Sequence, residues 1–179
     1  MASWGIGEER YEAFHRYAVT EHRLFETMAP LPGAPAAIAR LAAEGIRLRI
    51  ITHRLVVSSL HEQTVLQTIR WLEAHRIPYW DLCFMREKDD VNADLYVEDS
   101  PTNVERLVEV GADVVVMSNA TNLALEVGGG RAQDWDEAEE LIRACYLSWL
   151  DAHGLSRPPA IGQAPQWFVQ GNAPDSRRR

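Results

Sequence analysis

The sequence of 179 residues has only two cysteines, fewer basic than acidic residues, and no long apolar run. Cys83 and Cys145 are too far apart for a redox pair or a zinc knuckle, so two reduced, mostly buried thiols are expected. The net charge of -8 argues against binding to a nucleic acid polymer, because phosphate contacts need clustered positive charge. No apolar stretch approaches the roughly 20 residues of a membrane span, which excludes a membrane partner.

The two ends of the sequence differ from its middle. The N-terminal residues MASWGIGEERYEAF lack the basic and then apolar layout of a signal peptide, which predicts a cytoplasmic protein. We predict a helical segment over 1–32, an α/β core over 33–150 and a tail over 151–179. The tail is rich in proline, ends in three arginines and has no apolar periodicity, so it is predicted to be disordered.

Helix and strand patterns alternate along the middle of the chain. Apolar spacing predicts helices over 8–28, 34–44, 59–76, 101–110 and 136–149, and strands over 46–52, 82–85, 93–99 and 113–118. In the first helix, Phe14 lies on the apolar face and is predicted to be buried, although it could instead stack on a base. The alternation predicts a three-layer α/β fold with a parallel sheet between helices.

Polar and charged side chains follow three of the predicted strands. They are Thr52, His53 and Arg54 after the first, Lys88 after the second, and Glu98 and Asp99 at the end of the third. Ligands of open α/β sheets bind beyond the carboxyl ends of the strands, so these groups should share one edge. A hydroxyl, an ammonium group and carboxylates at one edge suit a phosphate and Mg2+.

Each of these side chains also has an ordinary structural interpretation. Thr52 could cap a turn, and Lys88, which has acidic neighbours, could be a solvated surface charge. Glu98 and Asp99 could cap the helix that begins at Pro101. Their common position after strands, in this order, favours the functional interpretation.

The motifs resemble those of the haloacid dehalogenase-like hydrolases, and among them the cytosolic 5'(3')-deoxyribonucleotidase type. The matching stretches are IITHR (50–54), Lys88 in REKDDVNAD, and YVEDSPTN (96–103). The stretch YEAFHRYAVTEHRLFETMAPLPGA resembles the helical cap segment of that family, and the similarity covers about residues 4–146. It implies a Rossmann-like core with a small N-terminal cap, and substrate contacts for His53 and Arg54. The loop SNATN (118–122) carries no strong family feature.

The resemblance also implies a reaction and a set of roles. The reaction is Mg2+-dependent hydrolysis of a phosphate monoester, with a nucleoside monophosphate as the expected substrate. Thr52 and Lys88 would bind the transferring phosphoryl group, and Asp99 with Glu98 would hold Mg2+. Asn103 would orient a metal-bound water.

The nucleophile motif of that family, DxD, is absent from its expected place, because no Asp precedes Asp81. The one DxD present, at 134–136, leads into a helix and is predicted to be an N-cap. By the resemblance, the missing first strand would lie between the strands that end in Thr52 and Asp99. Those strands must then close the gap or leave backbone groups unpaired, at a cost of about 1–3 kcal/mol per buried group.

Three explanations stay open for the missing motif. The start codon could be assigned too late, the gene could be a decayed remnant, or the strand could be supplied in trans or the sheet rebuilt. We predict that the 179-residue chain is inactive as a phosphatase. The alternatives are a catalytically dead phosphate-binding or interaction module and, less in keeping with the order of the motifs, a response-regulator-like domain. The oligomeric state is not predicted.

Overall fold

The structure is a computed structural model and describes residues 7–125 and 130–157. The helices are α1 (Glu8–Thr20), α2 (Leu24–Thr27), α3 (Ala34–Ala43), α4 (His61–Ala74), α5 (Pro101–Glu109) and α6 (Trp135–Ala152). The strands are β1 (Arg49–Thr52), β2 (Asp81–Phe84), β3 (Tyr96–Glu98), β4 (Val114–Met117) and β5 (Arg131–Ala132). Short 3-10 helices occupy Ser58–Leu60 and Asp89–Val91. The predicted mixed α/β order is confirmed.

The strands form two parallel sheets rather than the single sheet that was predicted. One sheet pairs β1 with β2, with Thr52 opposite Phe84. The other has the order β3-β4-β5, with β4 in its centre. Within the described ranges, no ladder joins β1 to β3, so the strands that end in Thr52 and Glu98 have not closed together. One edge of β1 and one edge of β3 are therefore left without a strand neighbour.

Both faces of β4 are buried, as its run of apolar residues predicted. Its side chains alternate between two clusters, because successive residues of a strand point to opposite faces. Val115 and Met117 pack with α3 and α6, and Val114 and Val116 pack with α5. The larger sheet is thus the middle of three layers.

The N-terminal helices pack along α4 and differ from the prediction. The predicted helix over 8–28 is broken after Thr20, and Arg23 has the left-handed φ of 47° that ends one helix before the next begins. Phe14 is 69% exposed, so its predicted burial is wrong. The buried face begins one turn later, at Val19, which packs with Phe25 against the segment that leads into α4.

The last helix begins at the predicted N-cap and ends later than predicted. The Asp134 carboxylate accepts hydrogen bonds of 3.0 Å from the N–H groups of Asp136 and Glu137, as expected for an N-cap. The helix then continues to Ala152, so the first residues assigned to the tail are helical. Residues 158–179 of the predicted tail lie outside the described residues. Cys83 and Cys145 are both free, but Cys145 is exposed, contrary to expectation.

Over residues 7–125 and 130–157, no helix combines the length and apolar character that a membrane crossing requires.

Candidate functional site

The two sheets meet at an ion pair at the carboxyl ends of their strands. Lys88 follows β2 and Glu98 ends β3, and the Lys88 Nζ lies 2.5 Å from the Glu98 Oε2. The Lys88 side chain is 21% exposed and that of Glu98 only 4%. This contact brings together two of the predicted residues, which are ten positions apart in the sequence. We call the edge formed by Thr52, Lys88, Glu98 and Asp99 the rim.

Both carboxylate oxygens of Glu98 have donors. While Lys88 contacts Oε2, the Oε1 atom accepts hydrogen bonds of 3.0 Å from the N–H groups of Asp99 and Ser100. Burial opposes the charge of Glu98, but the hydrogen bonds from Lys88 and these two N–H groups outweigh it and lower the pKa of the carboxyl. These N–H groups precede α5, whose N-cap Ser100 has no side-chain cap hydrogen bond, so the alternative that the acidic pair caps the helix is wrong.

The Asp99 side chain is exposed beside this buried acid. Partial desolvation and the neighbouring negative charge of Glu98 raise the pKa of the Asp99 carboxyl, against a smaller opposing effect of Lys88. Its main-chain carbonyl accepts hydrogen bonds from the side-chain amides of Asn119, at 3.1 Å, and Asn122, at 2.8 Å. The backbone of Asp99 is thus fixed, while its carboxylate faces solvent.

Thr52 lies at the end of β1 and is half-buried. Its carbonyl accepts a hydrogen bond from the N–H of Met85, at 3.1 Å, which holds the chain after β2 alongside it. The Thr52 hydroxyl makes no hydrogen bond to any residue of the described part of the chain, so it is free for a ligand. His53 is exposed, and Asn103 is half-buried in the first turn of α5.

Arg54 is directed towards the N-terminal helices. Its guanidinium lies 4.6 Å from the ring centroid of Phe25 and donates to the Thr68 Oγ1, at 3.3 Å, on α4. Burial lowers the pKa of this guanidinium. Arg54 therefore connects the chain just after Thr52 with α2 and α4.

Comparisons with known proteins identify the family of the chain. The family model described as "5' nucleotidase, deoxy (Pyrimidine), cytosolic type C protein" matches residues 1–147. The chain belongs to this deoxyribonucleotidase family. A protein of Chlorobaculum tepidum named "Putative 5'(3')-deoxyribonucleotidase" is 44% identical over 145 residues, which are 80% of this chain and 71% of that protein. No solved structure matches the chain.

The deoxyribonucleotidase resemblance raises the question whether the rim suits Mg2+. Among the described residues, no group of three His, Cys, Asp or Glu side chains could hold a metal ion. Glu98 already has Lys88 and two N–H groups as partners, which leaves the Asp99 carboxylate available. One carboxylate with waters and a substrate phosphate is a known way of holding Mg2+, so the oxygen donors present fit the ion.

Sequence reasoning about this deoxyribonucleotidase fold missed the two asparagines that hold Asp99. Asn119 and Asn122 lie in the SNATN loop, which follows β4 at the same edge of the sheet. The rule that identified Thr52 and Asp99, namely position just after a strand, applies equally to this loop. No family motif marks this loop in the sequence.

Proposed function

We propose that the rim binds the phosphate group of a nucleoside monophosphate, as part of an Mg2+-dependent phosphate-monoester hydrolase. The observation that carries this proposal is the Lys88–Glu98 ion pair at the carboxyl ends of the strands, next to the exposed Asp99 carboxylate. Family membership supports the same reaction class. A cytoplasmic location is part of the proposal.

Each rim residue has a distinct role in this proposal. The Thr52 hydroxyl donates to one phosphoryl oxygen, and the Lys88 ammonium group neutralises the charge that develops on the others. Glu98 keeps Lys88 in place, since its second oxygen is fixed by backbone N–H groups. Asp99 would hold Mg2+ and Asn103 would orient a water on it. When bound, Mg2+ neutralises the phosphate and aligns it for attack.

His53 and Arg54 complete the proposed substrate site. His53 is exposed next to Thr52 and is free to contact the ligand. Arg54 acts indirectly. Its contacts with Phe25 and Thr68 hold the segment that carries Thr52 and His53.

A phosphatase of this kind also needs an aspartate nucleophile, and no Asp precedes Asp81 in the sequence. We infer that this aspartate belongs to a further strand, which would lie between β1 and β3. The unpaired edges of these strands support that inference. So does a cavity of about 770 Å3 at their amino ends, lined by Leu48, Leu95 and residues of α6 including Trp149. The 179 residues alone should therefore bind phosphate without turning it over.

The first experiment is an activity assay of the 179-residue chain with dUMP and with p-nitrophenyl phosphate, each with Mg2+. No turnover is expected. Turnover that disappears in Lys88→Ala would contradict the inferred need for another strand, and it would show that the rim is catalytic as it stands. The matched control is Arg86→Ala, which removes an exposed cation two residues away.

The second experiment reads the genomic DNA upstream of the codon for Met1. An in-frame apolar strand that ends in DxD would favour the enzyme. The longer protein should then hydrolyse dUMP, and replacing the first Asp of that motif by Asn should abolish turnover. Continued turnover in that variant would refute the assignment of the nucleophile.

A second candidate function is a phosphate-binding module without catalysis. It is favoured by one observation: the Lys88–Glu98 pair and the free Thr52 hydroxyl are in place in a chain whose first 80 residues contain no Asp. An in-frame stop codon directly upstream of Met1, together with dUMP binding by calorimetry, would favour this module over the enzyme.

A further inference from the structure

Asn122 is a fully buried amide whose polar atoms all have partners. Its Nδ2 group donates to the carbonyl of Asp99, at 2.8 Å, and to that of Met117, at 2.7 Å. Its Oδ1 atom accepts from the N–H of Asn119, at 3.0 Å, and from the guanidinium of Arg131, at 3.1 Å. A buried amide is tolerated only when its donors and acceptors are satisfied, and here they join three separate segments.

Asn119 adds a second donor to the same carbonyl. Its Nδ2 group lies 3.1 Å from the Asp99 oxygen, so both lone pairs of that oxygen are used. The Oδ1 atom of Asn119 accepts from the N–H of Thr121, at 2.8 Å, and from its hydroxyl, at 2.6 Å. The oxygen of the Asn119 amide thus stabilises its own loop, and the Nδ2 group binds the Asp99 carbonyl just after β3.

Arg131 supports the loop from β5. Its guanidinium donates to the carbonyls of Asn122, at 3.2 Å, and Leu125, at 2.8 Å, as well as to the Asn122 side chain. No carboxylate within the described ranges pairs with it. The guanidinium of Arg131 therefore serves to bind the main chain of the loop. We call Asn119, Asn122 and Arg131 the amide clamp.

We propose that the amide clamp is a positioning device for the acidic end of β3. By fixing the Asp99 carbonyl, it keeps the exposed Asp99 carboxylate at the rim. It also keeps the N–H of Asp99 on Glu98, which in turn holds Lys88. None of the three residues touches the proposed substrate. The expected effect of the clamp on metal binding rests on the proposed function, whereas its role in fixing Asp99 does not.

The test uses isosteric variants that replace the donating amide by a carboxylate, which removes the donor and adds a negative charge. Asn119→Asp keeps the oxygen that shapes the loop and loses the hydrogen bond to Asp99. Asn122→Asp keeps the acceptor for Arg131 and loses both donors. Leu123→Asp is the control, because it adds the same charge to an exposed position of the same loop and removes no donor. Melting temperature is recorded for all four proteins, so that local and global effects are separated.

The decisive readout is amide hydrogen exchange at Asp99 and Ser100. Both asparagine variants should speed this exchange about threefold to tenfold, the range expected for one lost neutral hydrogen bond. The control should leave it unchanged. Equal exchange in the unchanged protein and in Asn119→Asp, at equal melting temperature, would overturn the proposal and leave the asparagines as parts of the loop alone.

A second readout links the clamp to the proposed metal site. Binding of Mn2+, measured by electron paramagnetic resonance, should be about tenfold weaker in Asn119→Asp than in the charge-matched control Leu123→Asp, as for other residues that orient a metal ligand. Unchanged Mn2+ affinity alongside faster exchange would refute the link to the metal. Absence of Mn2+ binding in the unchanged protein would count against the proposed function, and the exchange data alone would then decide the clamp.

Discussion

At the scale of single residues, the rim depends on the one lysine of the sequence. The chain has 18 Lys and Arg residues, and Lys88 is the only lysine among them. An ammonium group is a compact point charge, whereas a guanidinium is a planar fork that needs two acceptor atoms. Glu98 offers Lys88 only Oε2, because its other oxygen is taken by two N–H groups. A lysine suits this position better than an arginine.

Replacing Lys88 by Met should destabilise the protein by about 1–3 kcal/mol, because the buried Glu98 carboxylate loses its charged partner. Glu98→Gln keeps the shape of the acid and removes its charge. The double variant should recover part of the loss, since no unpaired charge then remains. The free energies of unfolding come from urea titrations of the four proteins. Additive losses would mean that the two side chains do not interact.

The same ion pair should make stability depend on pH. The pKa of Glu98 is lower in the folded protein than its ordinary value of about 4.3, so the folded state is favoured at pH values above that value. This contribution is lost as pH falls through the folded pKa. The stability gap between the unchanged protein and Lys88→Met should therefore be full at pH 7 and shrink below about pH 4. A gap of constant size down to pH 3 would contradict this account.

At the scale of helices and strands, the packing of the N-terminal helices on α4 involves a buried glutamine. The Gln67 Nε2 donates to the carbonyl of Val19, at 2.8 Å, at the end of α1. Gln67→Ala should cost about 1–3 kcal/mol, because that carbonyl loses its donor and a cavity opens. Gln63→Ala, on the exposed face of the same helix, should change stability by less than about 0.5 kcal/mol. Equal effects in thermal unfolding would refute this role of Gln67.

Local pattern predicted most of these elements but not where the first helix breaks. The valines of β4, Pro101 at the start of α5 and Asp134 before α6 are signals within a few residues, and all three were interpreted correctly. The break at Arg23 is different, because it depends on where α4 lies and residue periodicity carries no information about that. Phe14 was misassigned for the same reason.

The candidate site was predictable where it follows from strand ends and unpredictable where it depends on loops. Lys88 and Glu98 were expected at one edge, because parallel strands bring their carboxyl ends together, and the two side chains form an ion pair. Asn119 and Asn122 reach Asp99 only through the fold of one loop. Hydrogen bonds between a side-chain amide and a main-chain carbonyl produce no recognisable residue spacing in the sequence.

At the scale of the whole molecule, the two sheets are joined by side chains rather than by a ladder. Lys88 and Glu98 join them at the rim, and Arg49 of β1 donates to the carbonyl of Val91, at 3.2 Å, in the 3-10 helix of the connection between β2 and β3. Ile51 of β1 packs against the cluster formed by β3, β4 and α5. The two sheets are therefore in side-chain contact, although β1 and β3 share no backbone hydrogen bonds in the described chain.

Amide hydrogen exchange should report the open edges directly. In the 179-residue protein, peptides from β1 and β3 should exchange faster than those from β4, because backbone groups on one side of each lack a strand partner. Burial agrees, since all four residues of β4 are buried while Val97 of β3 is 38% exposed. In a longer protein that supplies the inferred strand, β1 and β3 should slow to the rate of β4. Equal protection of all three strands in the 179-residue chain would mean that no edge is open, and a strand would have no place to insert.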